Sequence, residues 1–210
     1  MRSILIMLIL IMSLDTKPQS FYEQMMVLNI SLADTSSNWT ELERAAGVFN
    51  RLSNGSNTDW TACYYMSLCY IRTADLVIKK DTLLARSRIS MAKWTLKAAD
   101  SLAPKEIENK ILKLYLEVLK LRMKKNEQNE IKILEDEIMA IKKIIPENPR
   151  INLLNAYFYM LFFKNDKNKK IKVKELLNRA TASFLKEKTS EYAPHWGRKW
   201  CGELLGKLKQ

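Results

Sequence analysis

Residues 63–104 decide the fold, and they read CYYMSLCYIRTADLVIKKDTLLARSRISMAKWTLKAADSLAP. Bulky apolar side chains recur at helical spacing in the first half, at Tyr64, Leu68 and Ile71. Small and bulky residues alternate in the second half, at Ala92, Leu96 and Ala99. Small residues let two antiparallel helices approach closely, and Pro104 cannot continue the second helix. The stretch therefore predicts a helical hairpin over 58–79 and 82–102.

The rest of the chain repeats this organisation, with apolar stripes separated by short polar breaks. The nine predicted helices span 21–32, 38–52, 58–79, 82–102, 105–125, 127–145, 150–163, 171–188 and 195–208. Glycine and proline number five each, which is few for a protein built from many turns. No run with a period of two residues is long enough for a strand. The 210-residue chain is therefore expected to be all-α.

The spacing inside the hairpin also resembles a known repeat. Its first helix carries Cys63, Met66, Ser67 and Tyr70, and its second ends on Leu102-x-Pro104. This arrangement is similar to a tetratricopeptide repeat. With the apolar leader, the Pro-Glu-Asn-Pro turn at 146–149 and the Ala-Pro-His-Trp-Gly stretch at 193–197, the chain resembles exported tetratricopeptide-like proteins of Bacteroidetes. The resemblance implies a right-handed solenoid of about four α-hairpins plus a C-terminal capping helix.

The first 20 residues have the shape of an export signal. Arg2 precedes an uninterrupted apolar run from Ile4 to Met12, and Asp15 follows soon after it. The run is shorter than the roughly 20 residues needed to span a bilayer, so a membrane anchor is the weaker interpretation. We expect a signal peptide over 1–20 and a helical repeat domain over 21–210. The product would be periplasmic or secreted, without a stable membrane span after cleavage.

The chain is strongly basic, with a formal net charge of +12. Six lysines concentrate in one segment: Lys164, Lys167, Lys169, Lys170, Lys172 and Lys174. They fit either a contact for an anionic partner or membrane surface, or a hydrated loop beside core aromatics. Nucleic acid is disfavoured as a partner behind an export signal. If the leader is not cleaved, a basic cytosolic adaptor or nucleic-acid-binding helical protein is the alternative.

Residues suited to metal binding or nucleophilic catalysis are sparse. His195 is the single histidine, and the three cysteines lack zinc-type spacing. The sequence leaves open whether Cys201 forms a disulfide with Cys63 or Cys69. The common nucleotide-binding and hydrolase motifs are absent. We therefore expect no catalytic residue, no metal site, no cofactor and no enzymatic activity.

One helix carries a cluster of acids that carboxylate chemistry would need. Its members are Glu130, Glu135, Asp136 and Glu137. Most of them lie opposite the apolar stripe and among lysines, which indicates a solvated face with salt bridges. An enzyme with a carboxylate pair is the rival interpretation, and it requires two acids to converge in a pocket.

The sequence thus predicts a non-enzymatic scaffold that binds a protein or peptide in the cell envelope. In a solenoid of this type, the first helices of each hairpin line the concave face. The candidate partner contacts on these helices are Trp60, Tyr64, Ser67, Arg72 and Asn155. The tryptophans at 39, 60, 94, 196 and 200 fit either a ligand groove or ordinary core positions.

Overall fold

The computed structural model describes residues 20–55, 59–124, 128–188 and 190–209. Its nine helices are α1 (Phe21–Thr35), α2 (Trp39–Gly55), α3 (Trp60–Val77), α4 (Thr82–Leu102), α5 (Ile107–Met123), α6 (Gln128–Ile144), α7 (Pro149–Phe162), α8 (Lys169–Lys186) and α9 (Arg198–Lys209). Within these ranges there is no strand, and no helix is long and apolar enough to cross a membrane. The all-α prediction is confirmed for this part of the chain. The predicted signal peptide over 1–20 lies outside it, apart from Ser20.

Local sequence signals fix where several helices begin. Asp81 accepts a 2.8 Å hydrogen bond from a backbone N–H in the first turn of α4 and so caps this helix. Asn148 caps α7 by accepting from the N–H of Arg150 at 2.9 Å, and Pro149 occupies the first turn. These caps give α4 its predicted bounds and start α7 one residue earlier than expected. α9 begins three residues later than expected, because the chain turns sharply before it.

The helices pack as successive hairpins in two layers. α1, α3, α5 and α7 contact one another in that order, and α2, α4, α6 and α8 pack beside them. α3 is buried around its circumference along the whole stretch from Thr61 to Cys69. A helix in such surroundings lies between neighbours on several sides, which places α3 at the centre of the core. Helical-hairpin packing is confirmed, whereas the tetratricopeptide identity and the handedness of the stack stay predictions.

All three cysteines are buried as free thiols. The Cys201 thiol lies 3.4 Å from the carbonyl oxygen of Leu177 and 3.4 Å from the hydroxyl of Thr181. Burial raises the pKa of Cys63, Cys69 and Cys201. The disulfide left open by the sequence is therefore not formed, because Cys201 packs against α8.

Candidate functional site

The structure places three of the predicted partner contacts in the interior. Tyr64 and Ser67 are fully buried on α3, and Asn155 is buried on α7. The Ser67 hydroxyl donates a 3.0 Å hydrogen bond to the carbonyl oxygen of Ala92, which joins α3 to α4. The prediction that these three side chains meet a partner on an open face is therefore wrong, because they are packed between helices.

The other two predicted contacts, Trp60 and Arg72, are half-buried. The Trp60 ring meets the Tyr64 ring edge-on, with centroids 5.5 Å apart. The Arg72 guanidinium donates to the carbonyl oxygens of Ala33 and Ser36, the second at 2.8 Å. A cation at the end of α1 satisfies carbonyl groups that the helix leaves unpaired. In this fold, both residues hold helices together.

The C-terminal segment of the chain covers the face of α3 that carries Tyr64 and Tyr65. Trp196 is buried, and its indole N–H donates a 2.6 Å hydrogen bond to the hydroxyl of Tyr64. The Tyr65 hydroxyl donates to the carbonyl oxygen of Ala193 at 2.9 Å. Trp200 stacks on a tyrosine of α5, with ring centroids 5.3 Å apart. A partner would reach this face only by displacing residues 193–200.

A left-handed glycine brings this segment close to the core. Gly197 has a φ of 105°, a backbone conformation that favours glycine. Its N–H donates a 2.7 Å hydrogen bond to the carboxylate of Asp34 in α1. A Cβ atom at this position would lie 2.8 Å from Cδ2 of Leu153. Gly197 therefore fixes the turn that leads into α9.

Trp94 has a different environment from Trp196. Trp94 is 64% exposed on α4, whereas Trp196 is 1% exposed. Trp94 lines a groove of about 580 Å³ between α4 and α5. A groove of this size is typical of small-molecule sites. Of the two roles that the sequence left open for the tryptophans, Trp94 takes the ligand-accessible one.

The groove combines an apolar base with cationic walls. Leu96 and Leu116 are buried at the base, and the α4–α5 turn contributes Pro104. Five lysines line the groove: Lys93 and Lys97 from α4, and Lys110, Lys113 and Lys120 from α5. Apolar surface next to several ammonium groups suits an amphipathic anion.

Four of these lysines are uncommitted, by which we mean that no carboxylate in the described ranges lies within ion-pair distance. Lys120 forms an ion pair with Glu117 at 2.7 Å. The uncommitted lysines are Lys93, Lys97, Lys110 and Lys113. They are not among the site residues predicted from sequence. In the sequence, these lysines are recognisable by their spacing, four residues apart on α4 and three residues apart on α5.

Asn109 lies beside the same groove. Its side chain is 2% exposed, and its amide N–H donates to the carbonyl oxygen of Ala103 at 3.2 Å. Its Oδ1 atom is buried without a hydrogen-bond partner in the described part of the protein. Such an acceptor costs about 1–3 kcal/mol unless water or a ligand donates to it. Because this oxygen is buried, it is not exposed to a molecule in the groove.

No protein-family model matches this chain, and no curated protein does either. Its structure is similar to that of the HusA haemophore from Porphyromonas gingivalis, with a TM-score of 0.69 and 23% sequence identity. The similarity covers 92% of this chain and 96% of that chain. The two proteins therefore share an all-α fold. Porphyromonas belongs to the Bacteroidetes, the group to which the sequence resemblance points.

The six lysines of the predicted basic patch divide between two environments. Lys169 donates to the carbonyl oxygen of Met160 at 3.0 Å, and the Lys172 ammonium lies 3.8 Å from the centre of the Tyr159 ring. These two lysines hold α8 against α7. The other four, Lys164, Lys167, Lys170 and Lys174, are exposed and make no such contact within the described ranges, whereas Lys172 is exposed but bound to Tyr159. Their contact with an anionic partner or surface stays a prediction.

The single histidine lines a second pocket, which shares no lining residue with the groove. His195 Nδ1 lies 2.9 Å from the carbonyl oxygen of Ala193. When Nδ1 carries the proton, Nε2 is the nitrogen left to bind a ligand. The pocket, about 460 Å³, is lined by the acids Asp34, Glu187 and Glu191 and by the cation Arg198. Its carboxylates outnumber its guanidinium, so it suits an anion less well than the groove does.

The predicted acidic face is largely paired with cations. Asp136 accepts from Lys132 at 2.9 Å, and Glu130 accepts from Lys124 at 2.6 Å. Glu135 accepts a hydrogen bond from the Tyr159 hydroxyl. Across the residues that the structure describes, no group of three or more side chains is arranged to hold a metal ion. Glu130, Glu135 and Asp136 therefore take the ion-paired arrangement expected from the sequence, whereas Glu137 forms no ion pair within the described ranges.

Proposed function

We propose that this protein is a non-enzymatic binding protein that carries haem or a related tetrapyrrole bearing carboxylates. One observation carries the proposal: the exposed Trp94 lines a groove rich in lysine, in a chain whose structure is similar to that of a haemophore. The structural likeness suggests the class of ligand. The groove between α4 and α5 supplies the chemistry to hold it.

The groove suits a flat ring with acidic substituents. The tetrapyrrole ring would stack on the indole of Trp94 and cover Leu96 and Leu116. Stacking of flat heteroaromatic rings on aromatic side chains contributes about 1–3 kcal/mol. The carboxylates would meet uncommitted lysines and form charge-assisted hydrogen bonds. Ring and acid groups are thus recognised by different parts of one site.

The expected mode of binding depends on stacking and charge. No histidine, cysteine, methionine or tyrosine is among the described residues that line the groove. Those side chains are the ones that hold haem iron in proteins. The rival mode places haem in the second pocket, with Nε2 of His195 on the iron. Its acids outnumber Arg198, so this pocket would attract the carboxylates of haem less than the lysine-rich groove does.

Titration with haemin, followed by tryptophan fluorescence and visible absorbance, tests the groove. Trp94→Ala should weaken binding about tenfold, because the stacking surface is lost. Trp39→Ala is the matched control, since it removes another exposed tryptophan. His195→Ala should change neither the affinity nor the absorbance. Wild-type affinity in Trp94→Ala, or loss of binding in His195→Ala, would contradict the groove.

A protein or peptide partner, predicted from the sequence, is the second candidate. The uncommitted lysines favour it, since they suit acidic side chains as well as the carboxylates of a tetrapyrrole. Competition separates the two functions. A polyglutamate peptide should displace haemin poorly, because it has no ring for Trp94. Tighter binding of the peptide than of haemin would support the scaffold instead.

Export to the periplasm or medium belongs to the same proposal. Amino-terminal sequencing of protein from separated cell fractions should find the chain outside the cytoplasm, beginning near Phe21. Ser20 caps α1 by accepting a 3.2 Å hydrogen bond from the N–H of Glu23, so cleavage after Ser20 would remove this cap. An intact Met1 in the cytosolic fraction would support the adaptor or nucleic-acid-binding alternative.

A further inference from the structure

We propose that the groove binds two carboxylates of its ligand separately, one at each wall, and so selects dicarboxylic tetrapyrroles. This inference rests on the function proposed for the groove. The uncommitted lysines are divided equally between the walls. Lys93 and Lys97 belong to α4, and Lys110 and Lys113 belong to α5. Each helix therefore presents one pair of ammonium groups to the same space.

The two lysines of each wall are neighbours on their helix. Lys93 and Lys97 are four residues apart, and Lys110 and Lys113 are three apart. Side chains at these spacings share a helix face, and like charges placed so destabilise the helix. A carboxylate between the two ammonium groups would remove this repulsion and accept charge-assisted hydrogen bonds. Each wall is therefore suited to one carboxylate.

The acids in the groove leave both walls positively charged. Glu117 is engaged by Lys120 at 2.7 Å. Asp100 also lines the groove, and it forms no ion pair with any residue that the structure describes. One free carboxylate thus faces four uncommitted lysines. The remaining positive charge matches a dianion better than a monoanion or a neutral ring.

A series of ligands and variants tests this division. Haemin, its monomethyl ester and its dimethyl ester share one ring and differ only in the number of carboxylates. The α4-wall variant is Lys93→Gln with Lys97→Gln, and the α5-wall variant is Lys110→Gln with Lys113→Gln. The control, Lys143→Gln with Lys186→Gln, removes the same charge from exposed positions on α6 and α8.

Each wall variant should weaken haemin binding about tenfold, and the control by less than about twofold, because distant surface charges are screened. The two losses should multiply in the quadruple variant, since each wall holds its own carboxylate. Affinity for the dimethyl ester should not depend on either wall. The monomethyl ester should lie between the other two ligands.

Two results would overturn the inference. One is equal affinity of the wild type for haemin and the dimethyl ester, and the other is a failure of the two losses to multiply. In both cases, a loss of binding in Trp94→Ala would still support the groove as the tetrapyrrole site. If Trp94→Ala binds every ligand as the wild type does, the proposed function itself is wrong.

Discussion

The indole N–H of Trp196 donates a 2.6 Å hydrogen bond to the hydroxyl of Tyr64, across 132 positions of the sequence. The Tyr64 hydroxyl lies 3.3 Å from Oε2 of Glu108, which also accepts from Nε of Arg150 at 2.9 Å. One buried chain of contacts therefore connects α3, α5, α7 and the segment before α9. The C-terminal segment is part of the core.

Loss of this contact should destabilise the fold. Trp196→Ala should lower the free energy of unfolding by about 3–5 kcal/mol, because a buried aromatic side chain is removed. Tyr64→Phe should cost about 1–3 kcal/mol, because the indole N–H loses its acceptor. Guanidinium unfolding followed by circular dichroism measures both changes. Trp94→Ala, at an exposed site, should stay within about 0.5 kcal/mol of the wild type. Equal stabilities of the Trp196 and Trp94 variants would contradict this account.

Gly197 offers a second test of the C-terminal segment. Gly197→Ala should destabilise the protein by about 2 kcal/mol or more, because its φ of 105° strains any other residue and the new Cβ would lie 2.8 Å from Leu153. Thermal unfolding measures the loss. Gly202→Ala in α9 is the control, since its Cβ would meet nothing within 4 Å. Helix propensity predicts a gain of about 0.5–1 kcal/mol there, and a similar loss at both glycines would argue against the close packing of Gly197.

The positions of the helices could be predicted from the sequence because their signals are local. α4 begins directly after Asp81 and ends shortly before Pro104, and each of these residues acts within a few residues of the helix end. The apolar stripe of α6 is another local signal. Its members Ile131, Leu134 and Ile138 are buried, as a stripe at helical spacing predicts. Neither signal depends on residues that are distant in the sequence.

The surface residues could not be predicted in this way, because exposure depends on contacts far apart in sequence. Tyr64 has the spacing of a concave-face residue, but Trp196 covers it from the other end of the chain. Trp94 has the same helical spacing as core aromatics, and only the packing of α5 beside α4 leaves it at a groove. The groove lysines lie on two helices, and no pattern within one helix shows that they meet.

The buried Glu108 should give the stability of the protein a specific pH dependence. Burial raises the pKa of Glu108 above its ordinary 4.5, although the Arg150 guanidinium opposes the shift. A raised pKa in the folded state means that the stabilisation is full below about pH 4.5 and is lost as pH rises through the folded value. Glu108→Gln lacks this titration. The difference in unfolding free energy, wild type minus Glu108→Gln, should therefore fall as pH increases.

Guanidinium unfolding of both proteins at a series of pH values from about 4 to about 8 measures this difference, since the window must span the ordinary pKa of a glutamate. A difference that grows with pH would show that the pair with Arg150 outweighs burial. Arg150 also donates to Glu187, so it keeps one acidic partner in the variant.

The cysteines should behave as three inaccessible thiols. Cys63, Cys69 and Cys201 are buried and free, and burial raises the pKa of each. A thiol reagent should therefore label none of them rapidly in the folded protein and all three in guanidinium. Reductant should change neither result. A thiol that appears only after reduction would show that Cys201 forms a disulfide.

Hydrogen exchange of the protein with and without haemin tests the central claim most directly, because it locates the ligand without any substitution. If haemin binds in the groove between α4 and α5, it should slow amide exchange within residues 90–120 and leave exchange in residues 27–34 and 187–198 unchanged. Slower exchange confined to 27–34 and 187–198, with 90–120 unchanged, would place haemin beside His195 and contradict the assignment of the groove.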